Sequence, residues 1–219
     1  MGNQASAANA FFWHGRSHFT RTGFLAKSEA APTRERFESL KNVDLTDRVY
    51  LVTGANSGCG KEVCRYLIEK NASVYMLCRN RDRAEAAKAE IVNSVPTEYC
   101  ENRLHILAPY DCSVGSEVRR AWDSFSKQES RLDGLLCNAG ILSNELRYTR
   151  KGDELTFATH FIYGTYLLGK LALPMLKKTN SEADTLKNCV GSKMVMMSSG
   201  GMLCTPFLPW RKIVTDTAS

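Results

Sequence analysis

No Cys-x-x-Cys pair occurs in the 219 residues, although eight cysteines do, at 59, 64, 78, 100, 112, 137, 189 and 204. Without that spacing, and without a His/Cys cluster, a structural zinc site is excluded. Several of these cysteines stand in apolar runs, such as Tyr75-Met76-Leu77-Cys78 and Leu135-Leu136-Cys137, where a thiol serves as a small buried hydrophobe. Free thiols in a reducing compartment are expected, hence a cytoplasmic location. No apolar stretch approaches the roughly 20 residues that cross a bilayer, and the N-terminus lacks the long apolar run of a secretory signal. Blocks of Lys and Arg are missing too. The net charge of +6 therefore suits an anionic nucleotide or an anionic membrane surface, and nucleic-acid binding is not expected.

What is present is ordinary globular material. Hydrophobic residues make up 43% and charged residues 24% of the chain, which argues against wholesale disorder and for one α/β domain with a sizeable core. Residues 1–45 form a separate N-terminal segment, in which Ala31-Pro32-Thr33-Arg34 reads as a linker. Residues 46–205 form the domain, and 206–219 an irregular tail with no clear period. Val49-Tyr50-Leu51-Val52 reads as a buried parallel strand running into a glycine-rich turn. Val63, Leu67 and Ile68 then give a helical stripe. Further strands are predicted at 73–78, 104–107, 132–137 and 193–197. Helices are predicted at 81–93 and 114–127, with a long one around 153–178 that Pro174 bends or ends. Short buried strands alternating with longer helices predict a Rossmann-type, doubly wound parallel sheet.

The turn after the first strand reads Thr53-Gly54-Ala55-Asn56-Ser57-Gly58-Cys59-Gly60. Gly54 can adopt a backbone conformation that other residues resist. Gly58 lets the main chain approach a pyrophosphate, and Gly60 lets the helix pack close on the strand. The helix N-terminus then offers N–H groups and partial positive charge to phosphate.

This T-G-x-x-x-G-x-G pattern resembles that of the short-chain dehydrogenases/reductases, and three further segments match in order. Asp111-Cys112-Ser113 resembles the family's D-x-S segment near the adenine. Asn138-Ala139-Gly140 resembles its N-A-G motif beside the ribose. Met197-Ser198-Ser199-Gly200 resembles the segment that holds the catalytic serine, with Ser199 at that position. The matches cover residues 48 to about 203. The N-terminal aromatic segment and Ser-Ser-Gly-Gly-Met resemble the branch called family member 12. The resemblance implies that Gly54, Asn56, Ser57, Gly58, Cys59, Gly60, Asp111, Asn138, Ala139 and Gly140 bind the cofactor, and that Ser199 orients a substrate oxygen.

Cofactor choice follows from charge. A site for NAD usually places a carboxylate after the second strand, on the ribose 2′-hydroxyl. Here that strand ends Cys78-Arg79-Asn80-Arg81, and the first carboxylate comes only at Asp82. An arginine can grip a 2′-phosphate through paired hydrogen bonds. NADP(H) is therefore expected, with Arg79 as its main contact; a solvated surface charge is the alternative for Arg79.

In the family a tyrosine, with a lysine four residues later, supplies the acid–base chemistry. No tyrosine follows Ser199, and the residue four before Lys212 is Leu208. The family's helix-four asparagine, which supports a proton-relay water, is replaced by His160 or Phe161, depending on register. His160 could hold that water or serve in packing or capping. Tyr163 and Tyr166 read as packing residues. The family's sheet continues beyond the fifth strand, so the chain is expected to be truncated there, leaving that strand as an exposed apolar edge. Two readings follow. One is an NADP(H)-dependent oxidoreductase acting on a lipophilic carbonyl/alcohol pair, its acid/base supplied by sequence not present here. The other is a nucleotide-binding pseudoenzyme or a non-functional truncated product.

Met1-Gly2-Asn3-Gln4-Ala5-Ser6 fits the N-myristoylation pattern at Gly2. One acyl chain needs a second signal, and Phe11, Phe12, Trp13, Phe19, Phe24 and Leu25, interleaved with Arg16, Arg21 and Lys27, could supply it. The expectation is association with the cytosolic face of a membrane. A helix packing its aromatic face on the domain is the alternative.

Overall fold

The computed structural model describes Asn9, Trp13 and residues 20–29, 31–95, 100–143, 145–185 and 191–199. Gly2, the run Phe11, Phe12 and Phe19, and the tail 206–219 lie outside the described residues. The chain divides into two compact units, one of Met1–Val43 with Ser198–Ser219 and one of Asp44–Met197.

The first unit contains α1 (Arg21–Ser28) and α2 (Ala31–Lys41). Thr20 opens α1, its side chain accepting from Gly23 N at 3.2 Å. The expected linker at 31–34 is instead the start of α2. Pro32 falls in the first turn, where a helix has no use for the amide that proline lacks.

The second unit is a five-stranded parallel sheet in the order β3-β2-β1-β4-β5. Its strands are β1 (Val49–Thr53), β2 (Ser73–Leu77), β3 (Leu104–Leu107), β4 (Gly134–Cys137) and β5 (Lys193–Met196). Between them run α3 (Gly58–Glu69), α4 (Arg81–Ser94), the short α5 (Cys100–Arg103), α6 (Gly115–Ser126) and a long segment from Leu155 to Thr185. Successive strand residues point to opposite faces. Val52, Val74 and Met76 thus join Ile68 of α3 and Ile91 of α4 in one core. Leu51, Tyr75, Leu77 and Leu135 join Phe125 of α6 in the other, with Leu168 and Leu176 of the long segment. Helices cover both faces, which makes the sheet doubly wound.

The long segment is not one regular helix. A turn of α-helix, α7 (Leu155–Phe157), leads into a π-helix (Ala158–Leu167) and then into α8 (Leu168–Thr185). Gly164 permits the wide turn, because a Cβ there would overlap the Thr159 carbonyl; Thr165 Oγ1 also donates to His160 O at 2.6 Å, five residues back. Of the two outcomes expected at Pro174, a bend or an end, the helix does not end there: Pro174 lies inside α8. Leu168, Ala172 and Leu176 are buried on one stripe to either side of it, and Thr179 Oγ1 accepts from Leu132 N at 3.0 Å.

At the N-terminal end of the sheet, Asp133 draws three segments together. Its Oδ1 accepts from Arg48 Nη1 and Arg131 Nη2, both at 2.7 Å, and its Oδ2 from Val49 N and Arg131 Nε, both at 2.9 Å. Asp133 N donates to Val49 O, and Asp133 O accepts from Lys193 N. Burial alone would raise this carboxyl; the hydrogen bonds from Arg131, Arg48 and Val49 more than offset that and hold it below the usual aspartate range. β5 is the outer strand among the described residues, and Met194, Val195 and Met196 on it are exposed.

Candidate functional site

The C-terminal ends of β1, β2 and β4 frame the cleft. β1 stops at Thr53, and Gly54 turns away with φ at 63° while its N donates to Leu77 O at 2.9 Å. A Cβ on Gly54 would lie 2.9 Å from Ala139 Cα, so glycine serves here both for the turn and for the close approach of β4. Ser57 precedes α3 in extended backbone, and its side chain makes no capping hydrogen bond. The first-turn amides of α3 are therefore left uncapped by it, in a helix end that favours anions. Gly58 follows with φ at 52°, and a Cβ on it would meet nothing within 4 Å. Gly60 is the opposite case: a Cβ there would lie 2.5 Å from Gly54 O and 2.6 Å from Asn138 Nδ2. The three glycines thus divide the work expected of them into turn, open approach and tight packing.

Thr53, fully buried, laces β1 to β4. Its Oγ1 accepts from Asn138 N at 2.9 Å and Ala139 N at 2.8 Å, while Asn138 Nδ2 donates to Thr53 O at 3.1 Å and Gly54 O at 3.3 Å. The next residues are held by the π-helix. His160 Nε2 accepts from Ile141 N at 2.7 Å and sits against Gly140, where a Cβ would come within 3.0 Å of it. Because Nε2 accepts, the neutral ring carries its proton on Nδ1.

The basic run after β2 splits by helical phase. Asn80 caps α4, its Oδ1 accepting from Arg83 N at 2.8 Å. Arg81 turns away to donate to Ala108 O and lies 3.5 Å from Glu85. Arg79 and Arg83 face the cleft. Arg79 Nη1 lies 3.6 Å from Asp111 Oδ2. Asp111 is anchored by its other oxygen, Oδ1, which accepts from Ser113 N at 2.8 Å, and its own N donates to Glu117 Oε2 at 2.7 Å. Buried Cys112 also lines the cleft; burial pushes its thiol up to about 12 and that of Cys78, also buried, up to about 11, so neither is a thiolate at neutral pH.

The cleft so formed is about 450 Å³, within the usual range for small-molecule sites. Of the residues expected from the sequence, Gly54, Asn56, Ser57 and Arg79 line it, as do Asp111, Asn138, Ala139 and Gly140. Gly58, Cys59 and Gly60 form the first turn of α3 beside it, with Cys59 exposed. Ser199 is exposed and belongs to the other compact unit. Sequence reasoning missed Asn80, Arg83, Tyr110, Ile141 and Thr159, which also line the cleft; the phase of a helix capped at Asn80 was the signal that separates Arg83 from Arg81. It also passed over two Tyr-x-x-x-Lys spacings, Tyr66–Lys70 and Tyr166–Lys170. Neither pair lines the cleft. Burial, then Glu69, raises the Tyr66 hydroxyl instead of lowering it, and Tyr166 is exposed. Among the described residues no three His, Cys, Asp or Glu side chains gather as metal ligands, and no helix is long and apolar enough to cross a membrane.

The short chain dehydrogenase family matches residues 48–183. The chain is 31% identical over 194 residues to dehydrogenase/reductase SDR family member 12 of Bos taurus, covering 89% of this chain and 54% of that protein. It is 38% identical over 165 residues to a short-chain dehydrogenase/reductase of Phomopsis amygdali, covering 74% and 48%. The chain thus spans about half the length of these curated relatives. Among solved structures, the C-domain of a bacterial malonyl-CoA reductase with NADP superposes with a TM-score of 0.54 at 26% identity, over 62% of this chain and 21% of that one.

Proposed function

Since the chain belongs to the short chain dehydrogenase family, we propose that its cleft binds NADP(H) and that it serves an oxidoreductase acting on a carbonyl/alcohol pair. The observation that carries this is the pairing of two features on one cleft. The first turn of α3, uncapped by Ser57, has open space at Gly58 beside the cleft, and Arg79 and Arg83 line the cleft where an NAD site would present a carboxylate. The crystal structure of the malonyl-CoA reductase C-domain with NADP supports the same cofactor.

In this reading the α3 amides and Gly58 take the pyrophosphate, Arg79 and Arg83 the 2′-phosphate, and Asp111 the adenine. Asn138, Ala139 and Gly140 form the wall beside the nicotinamide ribose. His160 holds that wall through Ile141 N–H and has Nδ1–H to offer a relay water. When bound, the cofactor would supply hydride chemistry, and Ser199 would orient the substrate oxygen, the role its motif carries in the family. The exposed apolar side chains of Trp13, Phe24 and Leu25, beside Arg21 and Lys27, support peripheral membrane contact and a lipophilic substrate.

A second reading, nucleotide binding without turnover, is favoured by residues 200–219, the stretch that follows the matched Ser199, in which no tyrosine stands. Both readings are tested by titrating the chain with NADPH and NADH and following nicotinamide fluorescence. NADPH is expected to bind about tenfold or more tighter than NADH, and Arg79→Ala to remove most of that difference. Equal affinity for the two nucleotides, or an unchanged preference in R79A, overturns the cofactor assignment. NADPH binding without turnover of any carbonyl substrate favours the second reading.

A further inference from the structure

Asp111 and Arg79 meet at the rim of the cleft as unequal partners. Asp111 is fixed: Ser113 N–H holds Oδ1 at 2.8 Å, and its side chain is 26% exposed. Among the described residues, Arg79 is held by charge alone. At 3.6 Å the approach of Nη1 to Oδ2 is too long for a strong charge-assisted hydrogen bond, and the arginine side chain is 66% exposed. When an anion arrives, the guanidinium can therefore swing while the carboxylate stays where it is.

We infer that Asp111 is a specificity-determining residue, a resident carboxylate that competes with an incoming 2′-phosphate for Arg79 and so restrains the preference for NADPH over NADH. The inference rests on the cofactor reading above but is separable from it. If Asp111 only touches adenine, or only shapes its loop, its replacement changes both nucleotides alike, because they share the adenine. If it competes for Arg79, its replacement changes only the nucleotide that carries the 2′-phosphate. Arg83 lines the same cleft, so a phosphate drawn to Arg79 is met by a second cation.

Asp111→Asn is a clean probe. It removes the charge yet keeps an amide oxygen to accept from Ser113 N–H. The ratio of the NADH to the NADPH dissociation constant is measured by fluorescence titration of the 219-residue chain, in the parent, D111N, R79A and the double variant. The ratio is expected to rise about two- to fivefold in D111N, the scale of an exposed ion pair, and to shrink toward the parent value as salt is added. In the R79A background the same substitution leaves the ratio unchanged, because the group it acts through is gone. A ratio that stays level or falls in D111N overturns the inference while leaving the cofactor reading intact. A ratio that rises equally with and without Arg79 also overturns it, since the carboxylate would then act directly on the phosphate. A parent chain that binds neither nucleotide overturns both.

Discussion

Asp133 and Gly58 lie at opposite ends of the same parallel sheet, and their polar surroundings differ in kind. Around Asp133 the four hydrogen bonds to its carboxylate come from within the fold, two to each oxygen, and they tie Arg48, Val49 and Arg131 together. Around Gly58 the helix amides go uncapped by Ser57 and the space beside the backbone is open, while Arg79 and Arg83 line the neighbouring cleft. The first end completes its hydrogen bonds during folding and contributes stability. The second, in the proposed reading, holds donors and positive charge that a bound nucleotide would complete. That contrast separates structural from functional polar groups without recourse to either end's sequence alone.

The contrast is broken most sharply at Asp133. Asp133→Asn is expected to cost about 2–4 kcal/mol in urea unfolding, because it strands Arg48 and Arg131 near the core edge, and to leave NADPH affinity per folded molecule unchanged. Gly60→Ala follows at about 1–3 kcal/mol, since its Cβ would press on the Gly54 carbonyl. Gly58→Ala is expected to cost only about 1 kcal/mol, for the left-handed φ, yet to weaken NADPH by more than about tenfold by filling the approach to the backbone. A Gly58 variant that lost stability but kept affinity would undo the contrast. Smallest is the surface pair Lys61–Glu90 between α3 and α4, at 2.6 Å; Lys61→Ala is expected to cost at most about 0.5–1 kcal/mol.

Acid sharpens the same comparison. The Asp133 carboxyl ionises at lower pH in the folded chain than the ordinary value of 3.8. Its contribution is therefore whole above that value, declines as pH drops below it, and is gone once pH falls through the lowered folded value. Stability of the parent is expected to fall more steeply than that of D133N as pH is lowered from about 5 to 3, and parallel curves would remove Asp133 from the account.

Much of this was legible in the sequence. The strands came from short apolar runs, and the glycine-rich turn from three glycines placed between the first strand and the first helix of the sheet. What was not legible depends on contacts far apart in the chain or on backbone detail. Asp133 looks like an ordinary surface aspartate until Arg48 is brought to it across 85 residues. The stretch at 153–178 reads as a long helix bent or ended at Pro174, because a π-helix shares its apolar composition and differs in closing its hydrogen bonds five residues back, which Gly164 allows. Arg79, expected to contact the cofactor, lines the cleft. Arg83 needed the helical phase set by Asn80, and the role of His160 as an acceptor for Ile141 N–H needed the fold itself.

In the proposed reading the two ends of the sheet differ in whether a ligand completes them. Backbone hydrogen exchange of the 219-residue chain, measured with and without NADPH, tests it directly. Saturating NADPH is expected to slow exchange at residues 56–60 and 138–141 by about tenfold or more, while the amides of Val49 and Asp133 stay as they were. Protection spread evenly over both ends, or none at residues 56–60, would contradict the account.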